Sequence, residues 1–274
     1  MDVRMASVDD LDAVVDLAGI VDPPSDGVDV DRDYYSNILE HGRLSVADAS
    51  GIVIGYCGAI PVGGTRHLSD LFVHPDAHAR GIGGQLLEAV WDAPASEVPR
   101  HTFSSVHPSA LPLYVRAGMR PLWPLLYIEG PPELLPRSRL TLRDLEAEEA
   151  ADVEAVWLGW ERLDQYRYWA SRPGGRTFVA LDGETPVAVG CLSRSRDRHT
   201  LLHLAVMDQS LMPESVSAAV TLASSSVLLA APGMSAVVPF LVDAGWRIVE
   251  HDVYCASDAD LVDAERLIPH PGLL

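Results

Sequence analysis

Lysine is absent from this sequence, so all 20 of its Lys+Arg residues are arginines. They stand against 39 aspartates and glutamates, which gives a formal net charge of −19 at pH 7. Nucleic acids and anionic membranes are bound through clustered Lys and Arg, so this balance disfavours both as partners. The negative net charge is compatible with attraction of a cationic small molecule to the protein surface. The absence of lysine beside abundant Ala, Val and Asp is typical of a GC-rich bacterial coding sequence.

Cysteine is scarce, and the three residues, Cys57, Cys191 and Cys255, show no CxxC spacing. An odd, sparse set argues against a disulfide framework and against a cysteine-based zinc site. Cys57 and Cys191 lie in strand-like segments, and free cysteine is among the most buried residue types. We therefore expect buried, inert thiols at both positions.

Long apolar runs are also missing, since the longest candidate, 216–231, is interrupted by Ser and Thr and ends before Pro232. No segment is long enough to cross a bilayer, and the N-terminal residues MDVRMASVDD lack the layout of a signal peptide. We therefore expect a cytoplasmic protein. With 274 residues, 48% of them hydrophobic and 22% charged, the chain suits one large or two medium globular domains.

The pattern of predicted elements occurs twice. Residues 1–130 read as strand, helix, hairpin, strand, helix, strand, short helix and strand. Residues 139–274 follow the same order, although no strand is identified there between the second helix and the short helix. The closest match pairs PLYVRAGM (112–119) with PFLVDAGW (239–246). The Pro-rich segment between the halves predicts a stiff linker at 131–138. We therefore predict two α+β domains, 1–130 and 139–274.

One junction in the first half is rich in glycine, where a strand at 68–73 passes through HPDAHARGIGG into a helix predicted over 83–91. Gly81, Gly83 and Gly84 leave backbone N–H groups uncovered at the positive end of that helix, and Arg80 adds a full charge. This predicts an anion site suited to a phosphate. The spacing fits neither the dinucleotide fingerprint nor the P-loop. A glycine turn that only allows close packing is the alternative.

The segment LSDLFVHPDAHARGIGGQLLEAV, residues 68–90, resembles the acetyl-CoA motif of the GNAT N-acetyltransferase superfamily. That motif is a strand, a Pro-containing loop, Arg/Gln-x-x-Gly-x-Gly/Ala and a helix beginning Leu-Leu. Gly81 and Gly83 fall on the two glycine positions, and residues 86–87 are the leucine pair. His78 replaces the Arg or Gln, for which Arg80 compensates in part.

A second motif of the same superfamily is similar to HPSALPLYVRAGM, residues 107–119. Of its pattern Asn-x-x-Ala-x-x-x-Tyr-x-x-x-Gly-Phe, this chain keeps Ala110, Tyr114 and Gly118. His107 and Met119 replace the Asn and the Phe. The resemblance covers residues 1 to about 130 in strand order, and it implies that each half is a mixed, mostly antiparallel twisted sheet flanked by helices.

The resemblance implies acetyl-CoA as cosubstrate, in a cleft where two parallel strands splay apart. No metal is expected, because the spacing of the histidines near this cleft matches no zinc pattern. The pantetheine arm is expected to pair with the backbone of Leu71, Phe72 and Val73, as an extra strand does. The remaining cofactor contacts are expected from the glycine loop and the second motif: His78, Ala79, Arg80, Gly81, Ile82, Gly83, Gly84, His107 and Ala110.

The resemblance also implies that an acceptor amine attacks the acetyl group directly, without an acyl-enzyme. Tyr114 is the candidate acid for the leaving thiolate, with a plain core aromatic as its alternative. Asp70 is the candidate base or amine anchor, because aspartate is disfavoured in mid-strand. Alternation places Asp70 and Phe72 on one face of the strand, opposite Leu71 and Val73. A local hydrogen bond of a strand-end aspartate is the alternative.

In this superfamily, the segment after the first helix lines the pocket that binds the acceptor. In this sequence that segment is DGVDVDRDYYSNI. Asp31, Tyr34 and Tyr35, with Asp29 and Asp33 beside them, are candidates for holding a small, cationic, partly apolar amine; a solvated acidic loop is the alternative for each. Two other functions stay open, a non-catalytic acyl-CoA sensor or scaffold and a protein or peptide N-acetyltransferase. Both a monomer and a homodimer are compatible with the sequence.

The second half lacks these functional residues. His203 aligns with Asp70, Leu241 aligns with Tyr114, and the glycine loop is replaced by Ser-Leu-Met-Pro-Glu at 210–214. Glu214 repels a pyrophosphate at the start of a helix. We therefore predict a degenerate domain that packs against the first, extends the acceptor pocket or replaces a dimer contact.

Overall fold

The computed structural model describes residues 1–23, 30–78 and 80–274, so Asp29 and Ala79 lie outside the described residues. The strands of the first half are β1 (Asp2–Met5), β2 (Arg43–Asp48), β3 (Val53–Val62), β4 (Thr65–Val73), β5 (Arg100–Ser104) and β6 (Arg120–Gly130). Its helices are α1 (Leu11–Val21), α2 (Arg32–His41), α3 (Ile82–Val90) and α4 (Ala110–Arg116).

The second half contains the strands β7 (Thr141–Asp144), β8 (Arg176–Asp182), β9 (Thr185–Arg194), β10 (His199–Val206), β11 (Val227–Pro232), β12 (Arg247–Ala256) and β13 (Leu267–Ile268). Its helices are α5 (Ala147–Leu158), α6 (Leu163–Ser171), α7 (Met212–Ala219) and α8 (Val237–Asp243). No helix in the described ranges combines the length and the apolar character that a membrane span needs.

The strands form one continuous sheet in the order β1-β2-β3-β4-β5-β12-β6-β11-β10-β9-β8-β7, with β13 added beside β10. Within the described residues, only β4–β5 and β10–β11 pair in parallel, and the other pairs are antiparallel. The predicted α+β class, with mixed, mostly antiparallel sheets flanked by helices, is confirmed.

The two halves exchange strands at the centre of this sheet. The last strand of the first half, β6, lies between β12 and β11, and β12 lies between β5 and β6. Each half therefore completes its part of the sheet with a strand from the other. The division of the chain at 131–138 stays a prediction, because hydrogen bonding runs across that boundary on both sides.

Different hydrophobic clusters cover the two faces of the first half. On one face, α3 and α4 pack residues such as Leu86 and Tyr114 against Cys57 of β3. On the other, α1 and α2 share a cluster with α5, α6 and the buried residues Leu273 and Leu274. The second face is thus built by both halves. All three cysteines are buried and free, as expected for Cys57 and Cys191.

Four elements were not predicted from the sequence: α2, α6, β11 and β13. Helix α2 begins inside the segment expected to be an acidic loop. Asp31 caps it by accepting a hydrogen bond from the backbone N–H of Asp33 at 3.0 Å, and Tyr35 and Ile38 are buried three residues apart on one side. The predicted helix 83–91 is observed one residue earlier, as α3.

Candidate active site

The site begins where β4 and β5 part. They pair in parallel over three residues, and the last pair is Leu68 with Thr102. At Ser69, β4 bulges away from the register of β3, and such a bulge bends a strand. The Thr102 hydroxyl donates to the carbonyl oxygen of Leu68 at 3.0 Å and completes the last pair. Beyond it, the β5-facing edge of β4 from Asp70 onward borders a gap.

A cleft of about 660 Å³ occupies this gap. It runs from the start of α3 past α4 to the end of α1, where Asp22 lines it. Arg80 is not part of the lining, and its guanidinium donates to the carbonyl oxygen of Asp76 at 3.1 Å. Ten of the expected cofactor contacts line the cleft: Leu71, Phe72, Val73, His78, Gly81, Ile82, Gly83, Gly84, His107 and Ala110.

The first turn of α3 has the properties of an anion site. Gly81 caps the helix at φ +74°, in the left-handed region that favours glycine. An added Cβ at Gly81 or Gly84 meets no atom within 4 Å, so open space lies outside this turn. The first N–H groups of a helix have no acceptor within the helix and carry partial positive charge. The site therefore fits the diphosphate of a CoA.

His78, which departs from the family motif, ties the glycine loop to the end of β4. Its Nε2 lies 2.8 Å from the carbonyl oxygen of Val73, to which it donates. Its ring meets the ring of His107 edge-on, with centroids 6.1 Å apart. The Nδ1 of His107 accepts from the backbone N–H of Ser109 at 3.2 Å. Both histidines therefore hold the two motifs next to each other across the cleft.

Tyr114 reaches the cleft from α4, and 6% of its surface is exposed. Burial, followed by the neighbouring Cys57 and Asp70, raises the pKa of Tyr114 well above its ordinary value. The phenol is therefore protonated at neutral pH and has a proton to donate. Gly118, at φ +87°, lets the chain turn out of α4 into β6.

Asp70 lies on the opposite face of the sheet from Tyr114. Phe72 packs in the cluster under α1 and α2, whereas Leu71 and Val73 pack under α3. Burial, with the charge of Asp22 second, raises the pKa of Asp70 to about 8, although hydrogen bonds from Tyr35 and Tyr34 lower it in part. This carboxyl group therefore exchanges its proton near neutral pH, as a general base must.

The acceptor candidates occupy two places. Tyr34 and Tyr35 lie beside Asp70, and the Tyr35 hydroxyl is 3.0 Å from that of Tyr56. Asp31 lies apart from them at a second cavity. There it accepts from the Tyr168 hydroxyl at 2.6 Å and pairs with the guanidinium of Arg172, the residue that follows α6. The charge of Asp31 is thus already balanced by the second half.

Two features of the site gave no signal in the sequence. Asp22 lines the cleft at the end of α1, where the sequence shows only the start of a polar loop. The C-terminal segment reaches the first half, where the His67 ring lies 2.8 Å from the carbonyl oxygen of Pro271. The carbonyl of Leu273 accepts from Arg162 at 3.1 Å. Contacts between residues so far apart in the chain leave no local pattern.

The second half repeats the bulge without the cleft residues. Strands β10 and β11 pair in parallel as far as Leu201, and β10 then bulges before His203. The register thus makes His203 the equivalent of Asp70. Its Nε2 lies 2.9 Å from Glu154, which also accepts from the Tyr166 hydroxyl at 2.6 Å.

That glutamate is the centre of a buried ionic cluster. Glu154, Arg162 and His203 are all fully buried, and the Arg162 guanidinium lies 3.4 Å from Glu154. Burial acts to raise the pKa of Glu154, but the charges of His203 and Arg162 outweigh it and lower that pKa to about 2. These three side chains are therefore buried together and pair with one another, in place of the single carboxyl group of Asp70 in the first half.

The gap itself is also filled in the second half. Residues Leu267 and Ile268 of β13 pair with Ala205 and Leu204 of β10, which are the equivalents of Phe72 and Leu71. In the second half, β13 thus covers the edge of β10 that is equivalent to the open edge of β4. At the start of α7, Glu214 accepts from the backbone N–H of Arg139 at 3.2 Å. In the described part of the chain, no group of three or more His, Cys, Asp or Glu is placed to hold a metal ion.

Comparison with known proteins agrees with this geometry. Residues 40–120 match the family profile of the acetyltransferase (GNAT) domain. No curated protein matches the chain significantly.

Among solved structures, a putative acetyltransferase from Pyrococcus horikoshii is similar at 13% identity and a TM-score of 0.74, over 98% of this chain and 93% of that one. A tandem GNAT protein from the clavulanic acid biosynthesis pathway is similar at 15% identity and a TM-score of 0.60, over 96% and 99%. A GCN5-related N-acetyltransferase from Sphaerobacter thermophilus is similar at 17% identity and a TM-score of 0.60, over 93% and 94%. At these identities the likeness establishes the fold, which spans both halves.

Proposed function

We propose that this protein moves an acetyl group from acetyl-CoA to a primary amine of a small acceptor, because residues 40–120 match the profile of the acetyltransferase (GNAT) domain and the whole chain shares the fold of solved acetyltransferase structures. The observation that carries the proposal is one cleft that joins the open edge of β4, the first turn of α3 and Tyr114. The second half is proposed as a partner that builds the acceptor side and binds no acetyl-CoA.

Acetyl-CoA, when bound, supplies the acyl group as a thioester. The backbone N–H groups of Gly81–Gly84 hold its diphosphate with the help of the α3 dipole. The unpaired N–H and C=O groups of Leu71–Val73 hold the pantetheine arm as an added strand. Arg116, which is exposed and lines the same cleft, adds positive charge.

Two side chains on opposite faces of the sheet transfer protons in the proposed reaction: one accepts a proton from the acceptor, and the other donates a proton to the leaving group. Asp70 accepts a proton at its carboxylate from the ammonium group of the acceptor, directly or through water, because its pKa of about 8 suits this exchange. The Tyr114 hydroxyl donates its proton towards the leaving sulfur, since burial keeps the phenol protonated. The acceptor and the donor therefore meet in the gap between β4 and β5.

The acceptor end of the cleft favours a cationic amine. Asp22 lines it, and the charge of Asp22 contributes to the raised pKa of Asp70. The ring of Phe72 and the hydroxyls of Tyr34 and Tyr35 supply apolar surface and hydrogen bonds around these acids. A negatively charged chain also draws cations towards the opening.

The test is thiol release from acetyl-CoA with a panel of primary amines, for the wild type, Tyr114→Phe and Tyr254→Phe. Tyr114→Phe is expected to lower kcat by roughly 10²-fold, the usual contribution of a positioned acid. Tyr254→Phe is the matched control, because its buried hydroxyl has no hydrogen-bond partner among the described residues. It is expected to leave kcat unchanged.

Two results contradict the proposal. If the wild type binds acetyl-CoA tightly and no amine accelerates thiol release, the protein is a sensor or scaffold. If only peptides accelerate it, the acceptor is not a small molecule. Equal rates for Tyr114→Phe and the wild type contradict the assignment of the acid alone.

A further inference from the structure

A second cavity, of about 760 Å³, lies between the two halves and apart from the donor cleft. One wall is the start of α2 with Asp31 and Asp33. The facing wall is the end of α6 with Arg172, together with the segment 193–196 at the end of β9, which carries Arg194 and Arg196. Neither half forms this cavity alone.

The charge of this cavity is opposite to that of the chain. The whole protein has a net charge of −19, yet the lining holds Asp31 and Asp33 against four arginines. These are Arg32, Arg172, Arg194 and Arg196. A concave site lined by charges of one sign concentrates the electric field and attracts ions of the opposite sign. Arg194 and Arg196 are exposed, so a soluble anion can reach these two guanidinium groups.

The two carboxylates in the lining are already paired. Arg172 pairs with Asp31, lies 3.3 Å from Asp33, and stacks over the Tyr168 ring at 4.3 Å. Arg32 pairs with Asp12 outside the cavity, at 2.9 Å. For Arg194 and Arg196, no carboxylate of residues 1–23, 30–78 and 80–274 lies within ion-pair distance.

The backbone around Arg194 is shaped to hold it at the cavity. Gly174 adopts φ +61°, and a Cβ there would stand 3.0 Å from the Cβ of Arg194. The glycine turn after α6 thus packs directly on this arginine. The backbone N–H of Arg194 also donates to the carbonyl oxygen of Pro173 at 2.8 Å. Ser193, next to it in the lining, adds a hydroxyl.

We propose that this interdomain cavity binds the anionic group of a small molecule, a carboxylate or a phosphate, through Arg194 and Arg196. A guanidinium presents paired N–H donors that match two oxygens of either group. The serine hydroxyl and the positive excess of the walls complete the site.

The cavity is also close to the proposed catalytic carboxyl group. His270 belongs to its lining, and the Tyr34 ring lies 6.5 Å from the His270 ring, centroid to centroid. The Tyr34 hydroxyl in turn lies beside Asp70 and lowers the pKa of its carboxyl group. One aromatic side chain therefore separates the anion site from the place where the amine is proposed to react. The anionic group belongs either to the acceptor itself or to a separate ligand.

The experiment is a titration of inorganic phosphate, and of citrate as the carboxylate probe, into full-length protein at constant ionic strength. The donor cleft is first saturated with CoA, so that α3 cannot take the anion. Binding is followed by calorimetry and by the shift in Tm. The test variant is Arg194→Gln with Arg196→Gln. The matched control is Arg143→Gln with Arg247→Gln, which makes the same charge change at two exposed arginines elsewhere.

The wild type and the control are expected to bind one anion per chain, and the test variant about tenfold more weakly or not at all. Equal binding by all three proteins, or no saturable binding by the wild type, overturns the site. Phosphate that competes with the amine in the acetylation assay supports the site as the anionic end of the acceptor. Phosphate that binds without such competition supports it as the place of a separate ligand. Because the titration needs no turnover, its result is independent of whether the acetyltransferase proposal holds.

Discussion

Asp70 is a carboxyl group held where its ionised form is disfavoured. Its pKa is raised to about 8, first by burial and then by Asp22. If Asp70 is the base, kcat/KM for the amine rises with pH and levels off above an apparent pKa of about 8. Asp70→Asn is expected to lower kcat/KM roughly 10²-fold and to remove this rise. A pH–rate profile of both proteins checks it, and an unchanged profile in the variant would show that another group is the base.

The same pKa shift predicts an effect on stability. The ordinary pKa of an aspartate carboxyl group is 3.8, whereas that of Asp70 in the folded protein is about 8. Between these values the folded state keeps a proton that the unfolded chain releases. The contribution of Asp70 to stability is therefore present at low pH and is lost as pH rises towards 8. Asparagine cannot ionise, so Asp70→Asn is expected to unfold at a higher Tm than the wild type, by a margin that grows from about pH 5 to about pH 8.

Thermal unfolding across this pH range is the measurement. Asp16→Asn serves as control, because Asp16 is an exposed aspartate on α1, and its Tm difference is expected to stay flat with pH. A Tm difference for Asp70→Asn that shrinks with rising pH would mean that Asp70 is ionised in the folded protein.

At the level of single elements, one substitution in the first turn of α3 is expected to affect helix stability and ligand binding in opposite directions. An aspartate at Gly84 has open space around it and suits the positive end of a helix, worth about 0.5–1 kcal/mol together with the loss of glycine. The same charge repels a diphosphate. Gly84→Asp is therefore expected to keep or raise Tm and to weaken acetyl-CoA binding at least about tenfold, roughly 1.4 kcal/mol.

The control for this prediction is Gly84→Ala, which gains the helix preference without the charge. Calorimetry with acetyl-CoA and a melting curve for each protein give both quantities. If Gly84→Asp binds acetyl-CoA as the wild type does, the diphosphate does not lie at the first turn of α3.

Strand β13 makes a prediction about stoichiometry. It pairs with β10 at Leu204 and Ala205. This edge of β10 is equivalent to the edge of β4 to which the pantetheine arm is proposed to bind. A protein–protein strand pair inside the fold is not displaced by a ligand without unfolding that edge. We expect one acetyl-CoA per chain in calorimetry. In Gly84→Asp no second site of wild-type affinity is expected, and two sites per chain would show that β13 yields to the ligand.

For the whole molecule, the exchange of β6 and β12 makes the halves interdependent. In a fragment of residues 1–130, β5 loses its neighbour β12, and β6 loses both β12 and β11. Exposed strand edges of this length favour aggregation. We therefore expect this fragment alone to lack a cooperative unfolding transition and to form a 1:1 complex when co-expressed with residues 131–274.

Size-exclusion chromatography with light scattering and circular dichroism give the mass and the transition of each fragment. A fragment 1–130 that unfolds cooperatively near the Tm of the full chain would mean that β6 can return to the side of β5. The predicted domain division at 131–138 then describes two units that fold alone.

Local patterns were sufficient for much of the donor side. A glycine turn, a helix start without acceptors and a short helix ended by Gly118 are properties of a few consecutive residues, so the glycine turn at 81–84 was recognisable in the printed sequence. Tyr114 was singled out through the resemblance to the second GNAT motif. Alternation along β4 also predicted correctly that Phe72 faces away from Leu71 and Val73. The bulge at Ser69, which opens the gap, depends on the register with β3 and had no signal of its own.

The α+β class, the repeated order of elements and the glycine turn before α3 were thus predictable from the amino-acid sequence, because each depends on propensity and spacing over short segments. Three other features became visible in the folded chain alone: β12 lies between β5 and β6, β13 fills the gap in the second half, and Arg194 and Asp31 line one cavity. These features depend on contacts between residues far apart in the chain. Such contacts are selected by the packing free energy of the whole sheet, and no local pattern records that quantity.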